Sequence, residues 1–578
     1  MSLEQINESF GFREDFHDGG KIAGQLSGVL PRIPAETLAN ALRHLPYDEF
    51  ERALRDKLVA IVIMPGLTLY AACGAPALAI ALADGRKVVA EAETADFLDA
   101  VRRTHGALLL HEATSDLATN HPEKSASRRL TGWQSGSALM LVGLVIVAFL
   151  LFQARFVWFG VSLLSGLLFL AVIALRLLCL FPPIRWGQIA AEYLGDEELP
   201  VYSVLVPLFR ETSVLGQLLR ALTELDYPPE KLDIKLILEE SDILMQRAVA
   251  GIRLPPHFEV IVVPSGRPQT KPRALNYALH FARGSLLTIF DAEDIPEPKQ
   301  LRLAAETFAA LAHDVACLQA QLAFFNPNEN WLTRQFTIEY AILFGLLLPT
   351  LANHHLPLPL GGTSNHFRVD VLREVGAWDP FNVTEDADLG LRLARAGYET
   401  ATLAARTYEE ANGQPVNWLN QRTRWLKGFL ATWLVHMRRP VRLLEDLGPS
   451  GFWAAQALTI GIFGSALLHP ICMAVTLALF ILQPGLPAGA SYFVITLTGL
   501  NLLVLVSGYG VAIIAGRRAL YQLGITGWIF PLATMPIYWL LMSVAAWAAL
   551  WQFIVAPFHW NKTEHGLSSF QRRRRKPR

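Results

Sequence analysis

The sequence predicts an α/β domain inserted between transmembrane α-helices, with a small α+β domain ahead of them. Three observations carry that expectation. Hydrophobic residues make up 52% of the 578 positions and charged residues 17%, and the mean hydropathy is +0.31, too apolar for an ordinary soluble enzyme. The apolar runs are clustered at 137–181 and 452–557 rather than spread along the chain. Between them, over 199–445, buried-strand runs alternate with helical stretches, the pattern of a mostly parallel sheet with ligands at its carboxyl edge.

In chain order, residues 1–118 read as a compact amino-terminal domain. Short amphipathic helices start near Pro34 and Asp48, strand-like runs follow at Leu67–Cys73, Ala77–Ala83 and Lys87–Ala90, and a helix covers Thr94–Arg103. The amino terminus is polar and acidic, so no cleavable signal peptide is expected. A polar, basic linker at 119–136 carries Lys124, Arg128 and Arg129. Two spans follow at 137–181, with Arg176 near the end of the second, placed to snorkel to the interface. These basic residues and Arg185 put both flanks in the cytoplasm. After the inserted domain, 452–557 holds three or four further segments, giving five or six spans in all. Two of these apolar blocks have about 30 residues, about 45 Å if wholly helical, with His469-Pro470 a place for a kink. A basic tail, 558–578, is expected on the cytoplasmic side.

Net charge is −1, which excludes a nucleic-acid partner on electrostatic grounds. The four cysteines, at 73, 179, 317 and 472, lie far apart and form neither a disulfide framework nor a zinc spacing.

The chemistry is concentrated where strands end. The apolar run Leu286–Phe290 stops at Asp291-Ala292-Glu293-Asp294, three acids in four residues, and carboxylates so crowded repel one another unless a cation sits among them. Other strands end at Glu211, at Glu239-Glu240 and close to Asp242. Further on come Thr384-Glu385-Asp386-Ala387-Asp388 and then Gln421-Arg422-Thr423-Arg424-Trp425. Gln421, Arg424 and Trp425, at i, i+3 and i+4, share one helix face.

This ordered set resembles family 2 glycosyltransferases of the membrane-integrated polysaccharide synthase type, similar to cellulose and hyaluronan synthases. The resemblance covers about 199–566, including Trp560–Gly566. It implies a GT-A-type domain and a hexosyltransferase that moves a sugar from a nucleotide donor, UDP-linked, to a growing polysaccharide with inversion, coupled to export. Carried over residue by residue, Asp386 is the general base, oriented by Glu385, and Asp388 caps the helix Leu389–Ala396. Glu211, Glu239, Glu240, Lys271 and Asp291 bind the nucleotide-sugar. Asp291 holds Mg²⁺ or Mn²⁺, with Glu293 or Asp294 as the second ligand. Gln421, Arg424 and Trp425 meet diphosphate and acceptor. Glutamates stand at 239, 240 and 293 where the family uses aspartates.

Around these, Trp418, Arg422, Lys427 and Trp433 fit an interfacial helix, Trp331–Pro349 is a second interfacial candidate too short for a span, and Gly361–Arg368 aligns with an acceptor loop. His354, His355 and His366 are further candidate ligands. The expected partners are the nucleotide-sugar, a polysaccharide or lipid-linked acceptor and membrane lipids, at a bacterial inner membrane with the site facing the cytoplasm. Residues 1–118 resemble the amino-terminal domain of type II secretion ATPases, a family with cyclic-di-GMP binders, which adds cyclic-di-GMP or an export partner. No carboxyl-terminal cyclic-di-GMP domain is expected after Gly566. Two alternatives stand beside this reading: a single-sugar transferase acting on a polyprenyl phosphate, which Gln421–Trp425 argues against, and a non-catalytic receptor that keeps the fold.

Overall fold

A computed structural model describes residues 30–64, 67–151, 154–181, 192–482 and 492–556. Arg185, the Trp560–Gly566 motif and the tail at 558–578 lie outside the described residues. The chain divides into two units, Met1–Glu112 with Tyr277–Arg283, and Ala113–Asn276 with Gly284–Arg578.

In the first unit, helices α1 (Ala35–Arg43) and α2 (Tyr47–Asp56) precede strands β1 (Leu58–Met64) and β2 (Leu67–Cys73). Helix α3 (Ala75–Ala83), strand β3 (Lys87–Ala92) and helix α4 (Thr94–Asn120) follow. The sheet order is β1-β2-β3, antiparallel then parallel, over a core of Leu58, Ala72 and Leu78. Two expectations are corrected. Ala77–Ala83 is a helix, not a strand: its alanines favour helix, and Pro76 sits in the first turn, where proline is tolerated. The helix from Thr94 also runs well past Arg103, into the stretch read as linker.

The second unit opens with two apolar helices, α5 (Gly132–Leu151) and α6 (Ala154–Leu178). The inserted domain then runs β4 (Tyr202–Leu208), α7 (Leu215–Thr223), β5 (Leu232–Glu239), α8 (Ile243–Ala250), β6 (Phe258–Val263), α9 (Lys271–Leu279), β7 (Leu286–Ile289), β8 (Ile295–Pro296), α10 (Gln300–Ala310) and β9 (Val315–Phe324). Next come α11 (Trp331–Ile342), β10 (Asn365–Arg368), α12 (Glu385–Arg395), β11 (Glu399–Glu409) and α13 (Pro415–His436). The eight strands form one sheet in the order β6-β5-β4-β7-β10-β9-β11-β8.

Strands β6, β5, β4 and β7 are parallel, with Val204 opposite both Ile234 and Thr288. Strand β10 runs antiparallel to β7 and β9, and β11 runs parallel to β9. Four of the seven pairings are parallel, as expected, and the three antiparallel ones, β10-β7, β10-β9 and β11-β8, make the sheet mixed. The carboxyl ends of β4, β5, β7 and β11 still share one edge, which gathers Glu211, Glu239, Asp291 and Glu409. Val204, Leu236 and Leu318, fully buried between sheet and helices, fix the register, because a one-residue slip would turn each of them to the opposite face.

The chain closes with α14 (Pro440–Gln456), α15 (Ile462–Leu482), α16 (Tyr492–Gln522) and α17 (Met535–Val555). Helix α14 is bent at Gly448, whose φ of 65° precedes Pro449, while Pro470 lies within α15. Among the described residues six helices are long and apolar enough to cross a membrane: Gly132–Leu151, Gly160–Leu178, Trp331–Asn353, Pro440–Ala474, Thr498–Gln522 and Met535–Val555. Trp331–Pro349, read as an interfacial stretch short for a span, belongs to a helical segment, Trp331–Asn353, that reaches 23 residues because a π-turn at Leu343–Leu347 joins α11 to a further helical turn. It is also the most enclosed of the six, 67% buried against 6% for Gly132–Leu151.

Candidate active site

Four elements meet at the carboxyl edge of the sheet and line one cavity of about 820 Å³. The turn after β7 presents Asp291 and Glu293 to it, while Asp294 turns away. Asp294 is fully buried, and its Oδ2 accepts from the Asp291 amide at 2.7 Å and from the Thr363 hydroxyl. Burial, then the charges of Asp291 and Glu293, push its carboxyl well above the usual range. Asp294 thus holds the turn together, and of the three acids expected around a metal it is Asp291 and Glu293 that face the cavity.

Lys271, at the start of α9, reaches across to Asp291 Oδ1 at 2.6 Å and donates to the Gly362 carbonyl at 2.6 Å. Burial alone would lower its pKa, but Asp291, Asp386 and Glu385 outweigh burial and raise it. The site is built around that ammonium.

Glu239 ends β5 and accepts from Arg273 at 2.6 Å and from Gln269 at 3.3 Å, and burial raises its carboxyl despite Arg273. Glu211 also lines the cavity, whereas Glu240 turns to the Ser265 amide at 2.9 Å and does not. Asp242 caps α8 through Met245 and holds the Arg210 amide at 2.5 Å.

Asp386 lies in the first turn of α12, and burial, followed by the charge of Glu385, raises its carboxyl well above the ordinary range. Glu385 is raised too, by burial that Lys271 partly offsets. A carboxylate raised in this way is a better proton acceptor at neutral pH than a solvated one. A Cβ placed on Gly362 would stand 3.8 Å from Asp386 Oδ2, an ordinary contact, so the Gly361–Arg368 loop passes beside this acid. The Trp378 side chain faces Asp386 and partly offsets the rise of its carboxyl.

Helix α13 is fixed against the start of α12 in three places. At Gly428 a Cβ would fall 2.3 Å from the Thr384 side chain, so only glycine permits this approach. Asn382 donates to Thr432 at 2.9 Å. Asp388 lies 3.1 Å from His436 Nε2 and accepts from Arg392 at 2.8 Å. Asp388 therefore ties two helices together rather than capping a helix from Leu389, since α12 already begins at Glu385. Burial would raise this carboxyl, and Arg392 and His436 outweigh it and hold it low.

Gln421, Arg424 and Trp425 line the cavity together, and Gln421 Oε1 is buried without a partner. Burial lowers the Arg424 guanidinium's pKa against Glu385 and Asp291. Trp425 is braced by the Arg422 guanidinium at 4.5 Å and stacks with Tyr340 at 6.3 Å. Three residues expected at an interface are buried instead: Trp418, Arg422 and Lys427 are at most 2% exposed. Arg422 pairs with Glu339 at 2.6 Å, and burial, then Arg424, lowers Lys427 to about 8. Trp433 is half-buried and donates to Gln456 at 2.7 Å.

The histidines lie elsewhere. His366 is fully buried between the Tyr202 hydroxyl at 2.6 Å and Gln300 at 3.1 Å, and burial lowers it to about 3, so it is a neutral core residue. His355 is exposed and pairs with Glu399, and His354 is also exposed.

Glu409 completes the acidic wall and was not among the sequence candidates. Burial and then Asp294, Glu293 and Asp291 raise its carboxyl far above the usual value. Its signal was the one used elsewhere, an acid ending an apolar strand. The donor set suits a hard divalent cation: oxygen ligands in negative excess, whose charges raise the neighbouring Asp294 and Glu409. Among the described residues no three His, Cys, Asp or Glu side chains are placed to hold a metal by themselves. Mg²⁺ is characteristically bound by one or two carboxylates, with substrate phosphates and water filling the rest, and Asp291 with Glu293 fits that arrangement.

Asp379 fastens the segment that leads into α5. It accepts from Ser125 Oγ at 3.0 Å, the Ala126 amide at 2.5 Å and the Phe381 amide at 3.1 Å. Arg438, just past α13, donates to the carbonyls of Pro122 and Ser125 at 2.6 and 2.8 Å and to that of Arg128. Burial and then Asp388 push Asp379 up from 3.8 to about 6. Because the folded value lies above the unfolded one, this group favours the folded state most at low pH, and that contribution is lost as pH rises from about 4 to about 6, by ~3 kcal/mol. Asp379→Asn should flatten that part of the melting temperature against pH, and an unchanged profile would show that Asp379 ionises freely.

Residues 200–428 match the family described as glycosyltransferase like family 2. The chain is 27% identical over 263 residues to the probable glycosyltransferase YdaM of Bacillus subtilis, covering 43% of this chain and 61% of that one. It is 26% identical over 222 residues to glucomannan 4-beta-mannosyltransferase 2 of Arabidopsis thaliana, covering 36% and 40%. The matches thus span about three fifths and two fifths of these relatives' lengths. A solved mannosyltransferase of Pyrobaculum calidifontis, in complex with GDP-Man and Mn²⁺, aligns at 15% identity and a TM-score of 0.41, covering 68% of this chain and 98% of that one. Residues 200–428 are therefore similar to glycosyltransferase domains of the family 2 type.

Proposed function

We propose that this chain is a membrane-embedded inverting hexosyltransferase that extends a polysaccharide from a nucleotide-sugar, with its GT-A-type site on the cytoplasmic side of a bacterial inner membrane. The observation that carries the reading is the extent of the cavity. The same space is walled by Glu239, Asp291 and Asp386 at one end and by Phe169, Tyr509 and Trp539 of the apolar helices at the other. A single-sugar transferase has no need for a passage beyond the acceptor, whereas a growing glycan needs somewhere to go. The glucomannan synthesis named for the plant relatives supports a polymeric acceptor.

In this reading the nucleoside lies along Glu211 and Glu239, and Lys271 and Arg424 face the diphosphate. Asp291 and Glu293 would hold Mg²⁺ or Mn²⁺, which offsets the negative charge that builds on the leaving diphosphate. Asp386 accepts the proton of the acceptor hydroxyl as its oxygen bonds to the anomeric carbon. The bond from that carbon to the diphosphate oxygen breaks, and the nucleoside diphosphate departs. One displacement inverts the anomeric centre. Trp425 offers the acceptor sugar a flat apolar surface beside Gln421. Residues 1–118 act as a docking or regulatory module.

Purified protein with Mg²⁺ or Mn²⁺ should release nucleoside diphosphate from one member of a panel of UDP- and GDP-hexoses. No release from any donor by a folded, metal-supplied preparation would favour the non-catalytic receptor.

A further inference from the structure

Arg176 is expected from its place in the sequence to reach out to the membrane interface. In the structure it faces inward and lines the helix-walled end of the cavity. Its guanidinium carbon stands 5.3 Å from the centre of the Trp539 ring. Trp539 stacks on Tyr509 at 5.2 Å and 27°, and the Tyr509 hydroxyl is 2.8 Å from His469 Nε2. Tyr509 and His469 line the same cavity, so the wall on this side of Arg176 is aromatic.

No hydrogen bond or ion pair of Arg176 is formed among the described residues. Glu339, the acid whose charge reaches it, is already engaged on both oxygens. Oε1 accepts from Arg422 at 2.6 Å and Oε2 from the Tyr538 hydroxyl at 2.6 Å. Two guanidinium groups thus share one carboxylate, leaving a net positive charge among apolar helices. Such a charge is costly unless something matches it, and five N–H donors in a fixed fork match a carboxylate or phosphate.

We propose that this end of the cavity is an oxyanion site, in which Arg176 holds an acidic group on the acceptor. The chemistry is shared by two sources, the carboxylate of an acidic sugar in the glycan and the phosphate of a lipid-linked acceptor. The role as an acceptor subsite rests on the transferase reading; the binding itself does not.

The test is calorimetry on the full chain in phosphatidylcholine nanodiscs, with four probes. Oligoglucuronate is compared with a neutral cello-oligosaccharide of equal length, and farnesyl phosphate with farnesol. At least one anion should bind wild type about tenfold more tightly than its neutral counterpart, and Arg176→Gln should lose about that tenfold. Arg176→Lys, which keeps the charge, should recover most of it. Preference for the uronate alone assigns an acidic glycan, and preference for the phosphate alone assigns a lipid phosphate. The proposal is overturned if neither anion outbinds its neutral counterpart on wild type, or if Arg176→Gln with an unchanged melting temperature binds as wild type does. Should wild type hydrolyse no nucleotide-sugar, the transferase reading fails while this comparison is still read.

Discussion

Asp386→Asn should lower turnover by about 10³-fold or more, ~4 kcal/mol of barrier, and leave donor affinity within about twofold. The reason lies in where the carboxylate stands. It is 6% exposed, its neighbours are Glu385 and Lys271, and the helix that carries it is pinned to α13 through Gly428, Asn382 and Asp388. An amide of the same shape keeps that packing and cannot accept the proton. A change confined to kcat is therefore expected, and a variant that loses donor binding as well would assign Asp386 to the nucleotide instead. The pH profile gives a second check. Because burial and Glu385 raise the Asp386 carboxyl, wild-type turnover should fall as pH drops, at a pH above that of a solvated aspartate.

Asp291→Asn should lower kcat/KM by about 10²–10³-fold, ~3–4 kcal/mol, and a chelator should do the same to wild type. Asp291 is the acid bonded to Lys271 at 2.6 Å, and it shares the cavity wall with Glu293, Glu385 and Glu409. Losing its charge would remove a proposed metal ligand and leave Lys271 without its ion-pair partner. Added Mn²⁺ should restore chelated wild type but not the variant. Full activity of wild type in excess chelator would show that Lys271 and Arg424 stabilise the diphosphate unaided.

Much of this site was legible because its signals are local. Leu232–Glu239 and Leu286–Asp291 are strand-like runs that end in acids, and parallel strands gather such ends at one edge. Gln421, Arg424 and Trp425 sit at helical spacing, and the structure keeps them on one wall. What escaped depends on the period of a run or on distant partners. Ala77–Ala83 is apolar throughout, so it has no polar face by which helix and strand could be told apart. Trp418 and Arg422 carry the composition of an interfacial helix, and only the packing of Phe336 and Glu339 against them takes them inside. Asp379 meets Ser125 across 254 positions, and Arg176 meets Trp539 across the helix bundle. No pattern within one segment reports such a pairing. Asp294 shows the opposite limit. Its spacing from Asp291 fits a ligand, yet the turn uses it to satisfy the Asp291 amide.

The most direct measurement is the size of the product that purified wild-type protein makes in nanodiscs from a labelled donor and Mn²⁺. A long, water-extractable polymer, absent with Asp386→Asn, is the expected result. Label confined to a single sugar on a lipid would contradict a polymerising site that opens into the helix bundle.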